Sequence, residues 1–226
     1  MKASVALLAL VMAGVTHEAR ANDADDAPCP ALPAGTDFSN RAAAEAALCA
    51  KSEEIIWAVG DVDGDGVADA VAITNRGYPH KKRLTLFKGH DGDRLRVLVQ
   101  TAETQTGDVD AKVEIRRGSV FVSLDAIRGA WGTQQFKLRD GRFDLIGQTL
   151  HLADGGLDDE PLRVLDSDVN YLTGRANFKP EGLRHDTSAA FKGARCSLQA
   201  YDFDFYYCGT QWKRTDGKTL ESMMMI

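Results

Sequence analysis

Beyond its first 21 residues, this chain of 226 has no apolar run as long as a membrane-spanning helix needs. Catalytic signatures are missing too. His80, His90, His151 and His185 are widely separated and form neither H-E-x-x-H nor H-x-H. There is no G-x-S-x-G elbow, no phosphate-binding G-x-x-x-x-G-K-[ST] loop and no G-x-G-x-x-G. No motif carries metallo-hydrolysis, acyl transfer or dinucleotide chemistry, and the sequence predicts a protein that is not an enzyme. The four cysteines include no C-x-x-C, which argues against a thiol oxidoreductase or a zinc ribbon. Basic charge is in deficit, with 27 Lys and Arg against 33 Asp and Glu. That balance disfavours nucleic acid and anionic membrane surfaces as partners. No segment recurs, so a propeller with one motif in every blade is excluded.

What is present begins with an export signal over residues 1–21. Lys2 is the charged start, Ala3 to Val15 the apolar stretch and Ala19-Arg20-Ala21 an A-x-A cleavage site. No Cys follows the cleavage site directly, which speaks against a lipid anchor. Cleavage makes the mature chain one unit more negative than the formal −6. The expected location is the periplasm or the medium, an oxidising place. Cys29, Cys49, Cys196 and Cys208 can pair in three ways there, and proximity in sequence favours Cys29–Cys49 and Cys196–Cys208.

The stretch Asp61-Val62-Asp63-Gly64-Asp65-Gly66-Val67-Ala68-Asp69 reads as a calcium loop, D-x-D-x-D-G-x-x-D. Alternate carboxylates are hard oxygen donors suited to Ca²⁺, and the glycine permits the sharp turn around the ion. Asp61, Asp63 and Asp65 take loop positions one, three and five, the Val67 carbonyl position seven and Asp69 position nine. An EF-hand needs Glu at position twelve, where this chain has Ala72. The flanking runs Ile55–Val59 and Ala70–Ile73 are short, apolar and rich in β-branched residues, so they predict strands rather than helices. The plain alternative is an Asp/Gly hairpin turn without metal, but carboxylates this close repel one another without a cation.

Residues 22–53 form a lead-in followed by an Ala-rich helix over Asn40 to Lys51, with Asp37 or Ser39 as N-cap and Cys49 on the last turn. From residue 54 to 226 the chain predicts antiparallel strands: 55–59, 68–74, 83–88, 95–101, 109–116, 119–125, 133–138, 143–151, 168–172, 175–178 and 197–206. Arg117-Gly118 and Asp140-Gly141 mark tight turns. The fold class is all-β: a propeller, barrel or sandwich with a short N-terminal helix.

Two loops interrupt the rhythm, basic 75–82 and acidic 153–161. Asp158, Asp159 and Glu160 in the latter are either a glycosidase-like carboxylate pair or a solvated turn. The connection Ile127-Arg128-Gly129-Ala130-Trp131-Gly132 offers the residue types that anchor interfaces, Arg and Trp, although Trp131 can equally face inward from a strand. Tyr201, Phe203, Phe205 and Tyr207 alternate with polar neighbours and read as the core face of a strand.

Three features resemble a known group. They are the loop Val59 to Asp69, the block Val113–Val122 followed by Trp131 and Phe136–Gly147, and Asp168–Arg175. Together they resemble the FG-GAP-like calcium-binding periplasmic proteins. That group includes lysozyme inhibitors and immunity proteins against peptidoglycan-cleaving effectors. The resemblance implies an irregular β-propeller-like fold, one structural Ca²⁺ in which Asp69 replaces the missing Glu, and a loop that plugs a hydrolase cleft. The plug falls at Asp125 to Thr133, with Arg128, Gly129 and Trp131 as partner-binding residues and 153–161 as the other candidate loop. The expected partner is a secreted cell-wall hydrolase. The competing expectation is a non-catalytic, calcium-stabilised β-domain for envelope adhesion, carbohydrate binding or complex assembly.

Overall fold

The computed structural model describes residues 29–77, 80–127, 129–154, 163–180 and 187–224. The predicted export signal, Arg128 and most of the acidic loop 153–161 lie outside them. A first antiparallel sheet is built from β1 (Asp37–Phe38), β2 (Ile55–Gly60), β3 (Asp69–Arg76), β4 (Lys81–Gly89), β5 (Leu95–Gln100) and β6 (Thr104–Gln105). Its order is β1-β5-β4-β3-β2, with β6 also paired to β4. The second sheet runs without a break through β7 (Val109–Arg116), β8 (Ser119–Ala126), β9 (Trp131–Arg139), β10 (Arg142–Asp154), β11 (Arg163–Asn170), β12 (Arg175–Pro180) and β13 (Thr187–Ala190). Each strand pairs antiparallel with its sequence neighbour, as a meander of hairpins should. All-β architecture is therefore established. Among the described residues it consists of two open sheets, neither closed into a barrel nor divided into a ring of blades.

The two faces of the first sheet feed different cores. One face carries Ala70, Ala72, Phe87, Leu95 and Val97 beneath α1 (Arg41–Ala47), which contributes Ala44, with Leu48 just beyond its end. Trp57 stacks on Phe87 there, ring centroids 5.6 Å apart. The other face sends Val71, Ile73, Leu84, Leu86 and Val99 into the main core, shared with the inward face of the second sheet. Val62, from the middle of the Asp loop, is buried in that same core and anchors the loop.

Several expectations need correction. Asn40, not Asp37 or Ser39, caps α1: its Oδ1 accepts from Ala43 N at 2.9 Å, because Asn40 is the last extended residue before the helix. The helix ends at Ala47, so Cys49 lies beyond it, in the left-handed region at φ 53°. Asp37 is instead in β1, paired to Arg96, so the lead-in supplies an edge strand. Of the basic loop 75–82, Asn75 and Arg76 end β3 and pair with Lys82 and Lys81 at the start of β4. Lys82 is buried, donating to Asn75 Oδ1 at 3.2 Å and Thr106 Oγ1 at 2.9 Å, and burial lowers its pKa. Arg76 and Arg83 both reach Glu103, at 3.1 and 3.9 Å.

The largest correction concerns 197–206, which is not a strand. It contains a single 3-10 turn, Leu198–Ala200, and otherwise irregular backbone. Its aromatic residues nonetheless fill the core: Tyr201, Phe203 and Tyr207 are buried, with Tyr201 packed edge-on to Phe136 at 5.1 Å. Two glutamines that pair across β9 and β10 latch this segment down. Gln134 Nε2 donates to the Asp204 carbonyl at 2.8 Å, and Gln134 Oε1 accepts from Tyr201 Oη at 2.6 Å. Gln148 donates to the Phe205 carbonyl and accepts from Tyr171 Oη at 2.8 Å. Burial pushes the Tyr171 and Tyr201 phenols up, so both remain neutral donors. Disulfides Cys29–Cys49 and Cys196–Cys208 are both formed, with Cα separations of 5.8 and 6.0 Å. Among the described residues, no helix is long and apolar enough to cross a membrane.

Candidate functional site

The Asp loop joins β2 to β3. Gly64 and Gly66, at φ 82° and 84°, let it fold back on itself. Asp61 organises the turn: Oδ1 accepts from Gly64 N at 2.6 Å and Asp63 N at 3.2 Å, and Oδ2 from Gly66 N at 2.9 Å. The bonds from Gly66 and Gly64 hold the Asp61 carboxyl below its usual range. Asp63 Oδ1 accepts from Asp65 N, and Asp65 Oδ1 from Val67 N at 2.8 Å. These bonds aim the three carboxylates inward, so that one ligand oxygen from each lies within 4.8 Å of the others. Three convergent carboxylates beside the Val67 position fit a hard cation such as Ca²⁺.

Asp69 stands apart from that triad. It is fully buried, and its oxygens accept from Val62 N and Gly89 N, each at 2.9 Å. Gly89 is required at that contact, because a Cβ there would stand 1.9 Å from the Ala68 carbonyl oxygen. The Lys88 ammonium bridges the two parts, lying 2.8 Å from Asp63, 2.6 Å from Asp65 and 3.3 Å from Asp69. Its side chain is only 14% exposed. Burial acts to lower the Lys88 pKa, but the bonds to Asp63 and Asp65 outweigh it and hold the ammonium above its usual range. The loop thus has a protein cation built into it, which the sequence motif alone did not disclose.

The second region is the β8–β9 hairpin. Ala126 N donates to the Ala130 carbonyl at 2.8 Å and Gly129 N to the Ala126 carbonyl at 3.1 Å, so the tip is internally braced. Ile127 is 78% exposed and Trp131 49% exposed. Trp131 does not face inward: it opens β9 on the outer face of the second sheet. There it meets His151 across the strand pair, with ring centroids 5.1 Å apart and planes within 10° of parallel. His151 Nδ1 bonds Asp166 Oδ1 at 2.7 Å. Sequence reasoning singled out Trp131 but missed Ile127, His151 and Asp166. His151 is twenty positions away from Trp131, so only the strand register brings them together.

No protein-family model matches this chain, and neither a curated protein nor a solved structure is significantly similar to it.

Proposed function

We propose that this is an exported, non-catalytic protein that binds and blocks a cell-wall hydrolase, as lysozyme inhibitors and immunity proteins do, with a structural calcium in its Asp loop. The observation that carries this reading is the braced hairpin tip with Ile127 and Trp131 exposed on either side of Arg128 and Gly129. Large apolar side chains held outward on a hydrogen-bonded hairpin are unfavourable in water and become favourable inside a partner's cleft. An acidic chain is steered toward a basic hydrolase. The four-stranded meanders β2–β5 and β7–β10 are each the size of a propeller blade, which is how the propeller-like part of the resemblance enters the proposal.

The test uses Ile127→Asp and Arg128→Ala. Both should keep the wild-type melt. Each should weaken inhibition of the cognate hydrolase by thirtyfold or more, since a lost central anchor costs about 2 kcal/mol. Full-strength inhibition by both variants in a cell-wall lysis assay would move the plug away from this tip.

In the calcium part of the proposal, Asp61, Asp63 and Asp65 hold the ion with the Val67 carbonyl, and Asp69 fixes the loop from beneath. The ion would supply positive charge that ties the turn together; it has no chemical step to perform. Lys88 competes for the same carboxylates. Replacing Lys88 with Met should therefore raise calcium affinity at least tenfold and enlarge the calcium-dependent rise in Tm. Titration calorimetry and melts with calcium or chelator check this. Calcium-independent melts in both wild type and Lys88→Met would end the calcium proposal.

A further inference from the structure

The outer face of the second sheet bears no part in the main core, yet its side chains are ordered in two rungs. Register places Ser123, Thr133, Thr149, Asp168, Asn177 and Ser188 side by side from β8 to β13. At the usual strand spacing this rung is about 24 Å long. It contains hydroxyls, an amide and a carboxylate, and no apolar side chain. The neighbouring rung carries the Trp131–His151 stack, then Asp166 and Lys179. Between the rungs lies a cleft of about 470 Å³ that Trp131, His151, Asp168 and Asn177 help to line.

We infer that this cleft binds an uncharged, pyranose-containing oligosaccharide. The inference shares Trp131 with the hydrolase-inhibitor reading but rests also on Asp168 and Asn177, which that reading does not use. A pyranose ring has one face of C–H groups, which rests on an aromatic plate, and a rim of hydroxyls, which needs planar polar groups. The Trp131–His151 stack is the plate, and the Asp166 bond fixes the imidazole in it. Asp168 has no hydrogen-bond or ion-pair partner among the described residues, so its two oxygens are open to adjacent hydroxyls. Asn177 uses its Oδ1 to accept from Ser188 Oγ at 2.7 Å, which fixes the amide and leaves its NH₂ to donate. The composition also sets the ligand class. Beyond Trp131 and Leu150 the cleft has no apolar side chain for a lipid or an apolar peptide to bury, and Asp166 and Asp168 outweigh Lys179, so its charge does not favour a polyanion. The cleft is within the size range of small-ligand sites, enough for one or two sugar rings, and the polar rung can carry the chain onward.

The test is titration of the full oxidised protein, followed by chemical-shift mapping and calorimetry. The probes are chitotetraose, cellotetraose, maltotetraose and mannotetraose, with a heparin tetrasaccharide as polyanion control. At least one neutral probe should bind with a Kd below about 1 mM. Preference for chitotetraose would point to an N-acetylhexosamine chain, and preference for another to a neutral hexose polymer. Asp168→Ala and Trp131→Ala should each weaken binding tenfold or more, while Val59→Thr, exposed on the other sheet, should not. Asp168→Ala removes an exposed side chain and should keep the native melt, so it remains informative if Trp131→Ala disturbs the hairpin. Asp168→Ala should also leave hydrolase inhibition intact, which separates this inference from the inhibitor proposal. No binding by any neutral probe, unchanged binding in both variants, or preference for the heparin fragment would overturn it.

Discussion

Replacing Asp69 with alanine should lower the unfolding free energy by about 3–5 kcal/mol in excess chelator. The carboxylate is fully buried and serves three groups at once: the amides of Val62 and Gly89 and the Lys88 ammonium. Its loss leaves two buried N–H donors without acceptors, each a desolvation cost of about 1–3 kcal/mol. It also removes one counter-charge from a largely buried Lys, although Asp63 and Asp65 still face it. Asp69→Asn should fall between the two. It keeps the volume but turns an NH₂ toward an N–H that needs an acceptor. Asp91→Ala, an exposed change in the β4–β5 turn, should stay within about 0.5 kcal/mol. Urea unfolding of the oxidised protein decides it, and an Asp69→Ala variant as stable as wild type would show that Asp69 is not the loop's anchor.

The centrality of Asp69 indicates which information the sequence carried. The motif named Asp69 as one of several ligands, because spacing reports residue type and order only. That Asp69 is a buried keystone follows from the β3–β4 register: one rung beyond Ala70–Phe87, Asp69 meets Lys88. The strands themselves were legible where polar and apolar residues alternate and a turn dipeptide follows. Val109–Arg116, Arg117-Gly118 and Ser119–Ala126 form such a unit, with Arg117 and Gly118 both at positive φ. The same alternation misled over 197–206. There Phe203 takes φ 59° and Cys208 φ 74°, so side chains reach the core from an irregular backbone instead of from one strand face. Alternation reports which side chains are buried; a strand is only one backbone that achieves it. The outer face of the second sheet was illegible for a different reason. Its polar residues lie on six strands, each unremarkable alone, and only pairing assembles them into a rung.

Removing the Cys196–Cys208 bridge should have the other large effect, about 2–4 kcal/mol in a Cys196→Ala/Cys208→Ala variant. Loop closure alone gives part of this, since the bridge spans 12 positions. The rest follows from what the bridge encloses. Between the two cysteines lie Leu198, Tyr201, Phe203 and Tyr207, all buried against the second sheet on a backbone with little regular hydrogen bonding. Without the covalent closure, the Gln134 and Gln148 latches must hold that segment by themselves. Its release would uncover Phe136 and leave two glutamines poorly satisfied. The Cys29–Cys49 bridge is the informative comparison. It closes a longer span of 20 positions but pins the lead-in to a smaller cluster around Ala44, Leu48 and Ile55. If packing governs, Cys29→Ala/Cys49→Ala should cost less than the C-terminal pair and leave the near-UV signal of the buried tyrosines intact. If loop entropy alone governs, the order should reverse. Urea unfolding and near-UV circular dichroism of the two double variants distinguish the cases. A C-terminal variant with native stability and an unchanged near-UV spectrum would refute the role given to the 196–208 bridge.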